Sequence, residues 1–434
     1  MSITRRFIEG FEGDDPRFVE RTLAVDRRLD AVADLAWDDR ADFHDVPDGA
    51  VVEVPPGEYT VAVHDDWTTV RHAVVAAADP DDPPVFRTEG SVSGRVCQFK
   101  GTHVALEGLV FDNGESYDGG DVALRADLED GLHWRDIDVR GWSGLKDDGG
   151  DWTFYPSLSR SDGVGLVHRC EKVGPSRFGG HGESAGAGGT FRGHEGTIWY
   201  AQCRVENQGG DGGLYTGKHP GSVNFYRCYF ANNDMALARM GAGSEMRDCV
   251  LVADWGNAHP DNEIVTDPTG TNGLYVSSAQ FGKAGGGLYG VDVWLRDPQR
   301  AAMAACLING SDRPDELRDV RIRVDADGTH GLWMADPADQ RLSNHVPPPE
   351  PWSTTVENLH VSGTGDMDGA AILIENRHGS TLRDVHVDAP GADRAVDLDG
   401  TRGATREGVH EGSARRPRED PGAVLDGPLA PDRR

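Results

Sequence analysis

A six-residue pattern recurs along this chain and limits its fold more than any other feature. Apolar residues occupy its first, fourth and sixth positions, as in the segments that begin at Leu106, Trp134 and Phe225. The copies lie 21 to 42 residues apart, with central apolar residues at positions 109, 137, 170, 203, 228, 249, 291, 320, 359 and 385. One short strand per interval of this length cannot bury its apolar face alone, so the copies must stack on one another.

Within each copy, the last three residues alternate between apolar and polar side chains. This alternation has the period of a β-strand with one buried face. Two polar residues precede the strand, often Arg-Asp as at 135–136 and 383–384, and they favour a bend. The pattern therefore predicts an all-β chain, folded as a single-stranded right-handed parallel β-helix.

Four cysteines occupy the same position in successive copies of the repeat. They are Cys170, Cys203, Cys228 and Cys249. Stacking predicts that they form an internal ladder of small hydrophobic side chains. A disulfide or metal site is the less favoured alternative, because stacked copies separate the sulfurs by about one strand spacing and no Cys-x-x-Cys pair is present.

The sequence outside the repeat predicts two further regions. Residues 1–44 are expected to form an N-terminal helical cap, since Asp15-Pro16 suits a helix start and Val25, Leu29 and Val32 follow helical spacing over residues 16–37. Residues 45–400 are then the β-helix. Residues 401–434 contain few large apolar side chains and are predicted to be a disordered polar tail.

The segment from Val51 to Val61 reads VVEVPPGEYTV and predicts a strand, a tight Pro-Gly turn and another strand. It resembles the opening coil of the pectate-lyase-like β-helix superfamily, and the resemblance covers roughly residues 45–395. It implies the fold and a site along one flank of the solenoid. It does not select an activity, because that superfamily includes lyases, hydrolases, esterases, epimerases and inert spikes.

Charge excludes some classes of partner. The formal net charge is −30, which opposes nucleic acid binding. No apolar run approaches the ~18 residues of a membrane-spanning helix.

The chain contains only five lysines among many aspartates, a composition that resembles proteins of extreme halophiles and predicts a fold that depends on high salt. The N-terminal residues lack a secretion signal, which favours a cytoplasmic or virion-associated location.

Polar, glycine-rich loops follow the copies centred on 137 to 249 and are the candidate site. Acids, amides and bases together suit polysaccharide cleavage, either hydrolysis by two carboxyl groups or elimination from a uronate with a base and a charge neutraliser. Lys218 stands out because lysine is rare here. The predicted catalytic residues are Asp211, Lys218, His219, Asp234 and Arg239. The predicted substrate-binding residues are Asp147, Asp148, Trp152, Asn207, Asn232 and Asn233.

The sequence thus predicts a protein that binds a polysaccharide, and cleavage of that polysaccharide is a further prediction. Two alternatives are kept: a non-catalytic structural or adhesive protein such as a virion tail spike, and a cytoplasmic scaffold for protein contacts. No cofactor is certain, and Ca²⁺ held by aspartates is the one candidate. A homo-oligomer is left open, as is the choice between lyase and hydrolase.

Overall fold

The structure is a computed structural model. It describes residues 31–32, 37, 39–88, 94–116, 122–143, 152–179, 186–190, 192–265, 270–300, 303–338, 345–367 and 369–412. Within these ranges the regular structure is almost entirely parallel β-sheet. The helices of this part of the chain are three short 3₁₀ turns, Phe43–Asp45, Trp255–Asn257 and Ala279–Phe281. None of its helices is long and apolar enough to cross a membrane.

Successive coils place their strands in three parallel sheets, and this confirms the predicted β-helix. The first sheet consists of Ala31–Val32, Ala50–Val54, Thr68–Ala77, Gly94–Glu107, Val122–Arg135, Val164–His168, Thr197–Ala201, Ser222–Tyr226, Glu245–Arg247, Gly287–Tyr289, Glu316–Arg318, Thr355–Glu357, Thr381–Asp388 and Thr405–Glu411. The second sheet consists of Arg40–Ala41, Glu58–Val61, Val85–Thr88, Val110–Asp112, Asp138–Arg140, Glu171–Val173, Arg204–Glu206, Tyr229–Ala231, Val250–Asp254, Asp292–Asp297, Arg321–Val324 and His360–Ser362, followed by the ends of the last two strands of the first sheet.

The third sheet closes each coil. It begins with the N-terminal parts of the long strands at 68–77, 94–107 and 122–135. It continues through Phe154–Leu158, Gly188–Gly189, Leu214–Thr216, Ala236–Met240, Asn272–Val276, Ala304–Ile308, His330–Met334, Ala370–Ile374 and Arg394–Asp397. Two small pairs lie outside the three sheets, Arg177–Phe178 with Glu263–Ile264 and Lys283–Ala284 with Asp312–Arg313.

The bend between the first and second sheets explains the polar pair of the repeat. The second residue of that pair has positive φ, at 52° in Asp136, 57° in Asp319 and 53° in Asp384. Side chains with a short polar group tolerate this left-handed conformation better than β-branched ones. The repeated polar pair is therefore the sequence mark of the bend, as predicted.

The predicted cysteine ladder lies inside the solenoid. Cys170, Cys203, Cys228 and Cys249 are all buried and belong to one continuous apolar core. Each follows a bend residue and points inward, where it packs between the coils above and below it. Ile137 and Leu109 occupy the same position in earlier coils, and neither is exposed.

Both ends of the β-helix can be compared with the predicted boundaries. Most of the predicted helix over 16–37 lies outside the described residues, but Ala31–Val32 is a strand that pairs with Ala50 and Val51. At the other end, Thr405–Glu411 pairs with Thr381–Asp388, so the solenoid continues past the predicted boundary at residue 400. Val409 supplies the inward apolar contact that this last described coil needs. Residues 413–434 of the predicted tail lie outside the residues that the structure describes.

Candidate functional site: a cationic and aromatic strip

The outer face of the third sheet carries one continuous row of large side chains. Its strands are in register, so that Arg125, Tyr155, Gly189, Tyr215, Arg239 and Tyr275 follow one another from coil to coil. Their inward neighbours, such as Leu214 and Leu274, belong to the core. We define the third-sheet strip as the set of eight residues Lys100, Arg125, Trp152, Tyr155, Tyr215, Lys218, Arg239 and Tyr275. Adjacent coils lie ~4.8 Å apart, so the strip is an extended surface along the solenoid axis.

Arg239 is held between two tyrosine rings. Its guanidinium carbon lies 4.1 Å from the ring centroid of Tyr215 and 4.6 Å from that of Tyr275. Its Nη2 donates a hydrogen bond to Ser277 Oγ over 3.1 Å. Contacts of a cation with aromatic rings are worth about 0.5–2 kcal/mol each, and here they fix the guanidinium on the strip.

Trp152 fills the one position of the row that has no side chain. A Cβ atom on Gly189 would lie 1.5 Å from Cε3 of the indole, so the indole occupies the space above this glycine. Its ring is 5.1 Å from that of Tyr155 and 5.3 Å from that of Tyr215. The row is therefore continuous across Gly189. Because the indole packs against this backbone, we expect Trp152 to order the strip rather than offer a free face to a sugar.

Replacing Gly189 with Ala should expel the indole of Trp152 from the row. We expect the fold to be retained with a loss of about 1–3 kcal/mol, the usual cost of overpacking, and a red-shifted tryptophan emission. Gly193→Ala is the matched control, because a Cβ at that position meets no atom within 4 Å. Unchanged emission and an unchanged melting temperature in Gly189→Ala would contradict the packing described for Trp152.

Lys218 lies beside the same tyrosine as Arg239. Its Nζ is 5.1 Å from the ring centroid of Tyr215, and the residue is half-buried. Burial lowers the pKa of Lys218, and the charges of Arg239 and Arg192 lower it further, while Asp211 acts in the opposite direction. Two cations thus lie beside the Tyr215 ring, with Arg192 near enough to act on one of them, and an anion would stabilise this arrangement.

Three cations of the strip form no ion pair with any residue that the structure describes. Among the described residues, no carboxylate lies within salt-bridge distance of Lys100, Lys218 or Arg239. Arg247 provides the contrast: it lies 4.1 Å from the ring centroid of Tyr289, yet its Nε donates to Glu245 at 2.9 Å. In a chain of net charge −30, cations without a carboxylate partner point to an external anion.

Three asparagines predicted to bind substrate are buried and form hydrogen bonds with backbone groups. Asn233 accepts a hydrogen bond from Gln208 N and donates to the carbonyls of Val205 and Leu237. The side chains of Asn207 and Asn232 accept from His259 N and Asp254 N. Buried backbone groups need partners, and the bends between sheets obtain them from these amides. The three asparagines are at most 9% exposed, which leaves little surface for a substrate.

Two of the predicted catalytic residues also lie below the surface. Asp234 is 1% exposed, and its carboxylate accepts hydrogen bonds from the backbone N–H groups of Gly179 and Met235. His219 is fully buried, with Nε2 2.5 Å from Thr216 O. Both side chains therefore form hydrogen bonds with backbone groups, and their role in catalysis stays a prediction.

The remaining predictions have different outcomes. Trp152, Lys218 and Arg239 are on the strip, and Asp211 lies near enough to act on the charge of Lys218. Asp147 and Asp148 lie outside the described residues.

Within the described ranges, no group of three or more histidine, cysteine or acidic side chains is arranged to hold a metal ion. Calcium binding stays a prediction.

Sequence reasoning missed the residues that build most of the strip. Tyr155, Tyr215 and Tyr275 lie on the third sheet, whereas the six-residue pattern covers the first and second sheets. A weaker signal was present in short triplets such as Leu214-Tyr215-Thr216 and Leu274-Tyr275-Val276, where an aromatic residue stands between inward side chains. Without the register between coils, these triplets do not indicate a continuous row.

No protein-family model and no curated protein sequence matches the chain. Among solved structures, the A-module of mannuronan C-5 epimerase from Azotobacter vinelandii is 12% identical, with a TM-score of 0.41, and the alignment covers 84% of this chain and 91% of that one. The surface adhesin PfbA of Streptococcus pneumoniae is 9% identical, with a TM-score of 0.35 and coverages of 84% and 85%. A family 28 exopolygalacturonase of Yersinia enterocolitica is 14% identical, with a TM-score of 0.24 and coverages of 86% and 72%. Similarity this low does not identify a function, which is inferred below from the residues of this chain.

Proposed function

We propose that this protein binds an acidic polysaccharide along the third-sheet strip. The observation that carries the proposal is the group of cations around Tyr215, where Lys218 and Arg239 have no carboxylate within salt-bridge distance among the described residues. Their side chains are already ordered by aromatic contacts, so binding loses little further side-chain entropy. Carboxylate or sulfate groups of a sugar chain would supply the missing negative charge.

The charge of the rest of the molecule favours the same surface. A polyanion is repelled by a protein of net charge −30 everywhere except where cations are exposed without partners. Lys100 extends the positive surface toward the N-terminal end of the strip, where its Nζ lies 4.7 Å from the ring centroid of Trp67. A ligand lying along the solenoid axis would therefore meet cations at more than one coil.

Cleavage of the bound polysaccharide is a separate part of the proposal. Asp211, Lys218 and Arg239 are the predicted catalytic residues that lie at the strip, whereas Asp234 and His219 are buried below it. Binding needs only the cations, but hydrolysis needs two suitably placed carboxyl groups. Binding is accordingly the function that the described geometry supports best, and release of oligosaccharides is to be assayed in the same samples.

Neutralising the cations should weaken binding without unfolding the protein. Lys218→Gln and Arg239→Gln are each expected to lower the affinity for polygalacturonate by about tenfold or more, since a hydrogen bond to a charged group is worth about 1.5–3 kcal/mol. The measurement is isothermal titration calorimetry, with neutral dextran as the uncharged comparison. Binding should also weaken as salt increases, because exposed charges are screened.

Arg247→Gln is the matched control for this experiment. It removes a guanidinium at the same distance from a tyrosine ring, but one that already has Glu245 as a partner. We expect it to leave the affinity unchanged. Equal losses in Arg247→Gln and Arg239→Gln, or binding of dextran as tight as that of polygalacturonate, would count against a specific anionic site on the strip.

A further inference from the structure

The loop from Thr216 to Ser222 carries Lys218 and packs closely against neighbouring coils. A Cβ atom on Gly217 would lie 2.1 Å from Ser277 O, and one on Gly221 would lie 2.5 Å from Gly196 O. Glycine at both positions allows this approach of backbone to backbone. The loop is thus held at its two ends, with Lys218 between them.

Two buried histidines, His219 within this loop and His194 outside it, contribute hydrogen bonds that hold the loop. His219 is bonded through Nε2 to Thr216 O, and His194 through Nε2 to Ser222 O at 3.2 Å. A carbonyl partner requires that each of these nitrogens carries a proton. The backbone N–H of Gly221 in turn donates to His194 O over 2.8 Å. The imidazole centroids are 4.7 Å apart, so the two rings form one packed unit.

A third basic residue reaches the same loop from much later in the chain. Lys283 belongs to the short strand Lys283–Ala284, which pairs with Asp312–Arg313. Its stem passes Gly243, where a Cβ atom would lie 3.3 Å from the lysine Cε. Its Nζ then donates a hydrogen bond to Gly221 O, at the end of the Lys218 loop.

An ion pair does not account for the burial of Lys283. Among the residues described, none offers it a carboxylate within salt-bridge distance, although Asp312 acts on it from farther away. Burial lowers the pKa of Lys283 to about 8. Burial also lowers the pKa of His194 and of His219, and the charge of Lys283 adds to that effect. A largely buried ammonium group is costly unless its hydrogen bonds serve the fold or a site. Here the ammonium group donates its hydrogen bond to the loop of Lys218.

We infer that Lys283 is a positioning residue, which fixes the Lys218 loop so that the Lys218 ammonium lies at a set place on the third-sheet strip. The functional part of this inference rests on the proposed binding of an acidic polysaccharide. The positional part does not, because it concerns only the hydrogen bond from Lys283 to Gly221. Three of the five lysines of the chain, Lys100, Lys218 and Lys283, would then serve one surface.

The test compares Lys283→Met with wild type in two measurements. Hydrogen exchange of the backbone N–H groups within 217–222, of which Pro220 has none, should become about tenfold faster or more, because the loop loses its hydrogen bond from Lys283. The affinity for polygalacturonate should fall by about tenfold, although Lys283 itself does not lie on the strip. Lys283→Arg keeps a charged donor and should restore most of both properties.

Lys172→Met is the control, since Lys172 is a fully buried lysine that lies in the second sheet. We expect it to lower stability while leaving loop exchange and affinity unchanged. Unaltered exchange at 217–222 in folded Lys283→Met would overturn the inference, whether or not polygalacturonate binds. Faster exchange in a protein whose wild type does not bind polygalacturonate would support the positioning role and refute the proposed function.

A measurement on the wild type covers the case in which Lys283→Met does not fold. With ¹⁵N-labelled lysine, the Nζ signal that is lost in Lys283→Arg should show protons protected from exchange with water below pH 8. A free exchange rate for those protons would overturn the inference, because a donor held against Gly221 O is shielded from solvent.

Discussion

Lowering the pH from 7 to 4 is expected to remove most of the stability of this protein. Burial lowers the pKa of His133, His168 and His194 to about 4, against an ordinary value of 6.5. His103 adds to the effect at His133, whereas the hydrogen bond that His168 Nε2 donates to Gln202 Oε1 opposes it at His168. All three imidazoles are at most 5% exposed.

The sign of this pH effect follows from proton uptake by the unfolded chain. Above about pH 6.5 the three imidazoles are neutral in both states and contribute no pH dependence. As the pH falls from 6.5 toward 4, the unfolded chain binds protons first, so the free energy of unfolding decreases. A shift of this size corresponds to about 3 kcal/mol per histidine, and the three together to on the order of 10 kcal/mol, which is comparable with the whole stability of an ordinary domain.

Urea unfolding at pH 7, 5.5 and 4.5 measures this loss directly. In His133→Gln the free energy of unfolding should depend less steeply on pH in that range, because one of the three imidazoles is no longer present. His378 is exposed, so His378→Gln serves as the control and should leave the profile unchanged. A free energy of unfolding that stays constant from pH 7 to pH 4.5 would show that these histidines are not buried as described.

Replacing Ile137 with Asp is expected to cost at least about 4 kcal/mol of stability. Ile137 is fully buried where the bend enters the second sheet, and coils above and below it enclose the site. The substitution removes the apolar contacts of a buried isoleucine and places a carboxyl group where no partner is available. Thermal unfolding followed by far-ultraviolet circular dichroism would report the loss.

Thr60→Asp provides the matched control for that substitution. Thr60 is on the outer side of a second-sheet strand, in register with Arg87, so the same new charge meets solvent and a cation. We expect a change of no more than about 0.5 kcal/mol, as for ordinary surface substitutions. A similar melting temperature for Ile137→Asp and wild type would contradict the assignment of the repeat to the core of the solenoid.

The fold could be predicted because its constraint repeats in every coil. Ile137 and Cys203 occupy the same inward position in different coils, and Asp136 and Gln202 occupy the bend before it. Each coil therefore adds independent evidence for the β-helix. The ends are harder to predict, because a terminal coil such as Thr405–Glu411 has one neighbour instead of two and needs fewer apolar residues.

Three residues of the strip, Trp152, Lys218 and Arg239, could be predicted from their polar loops, and composition singled out Lys218 among them. Lys218 was identified because lysine is rare in this chain, and the structure places it on the strip. Asn233 and Asp234 resembled site residues, yet their polar groups satisfy buried backbone atoms. Gly189 was not identified, since its importance lies in the indole above it. The predicted dependence of the fold on high salt stays a prediction of composition alone.

The most direct measurement of the central proposal is a crystal structure of the protein with an oligogalacturonate. The proposal predicts electron density for the sugar chain along the third sheet, with its carboxylates near Lys218 and Arg239. It also predicts that Tyr215 and Tyr275 keep their places beside the guanidinium of Arg239. Saturating ligand bound at another surface, with the strip unoccupied, would contradict the proposed function.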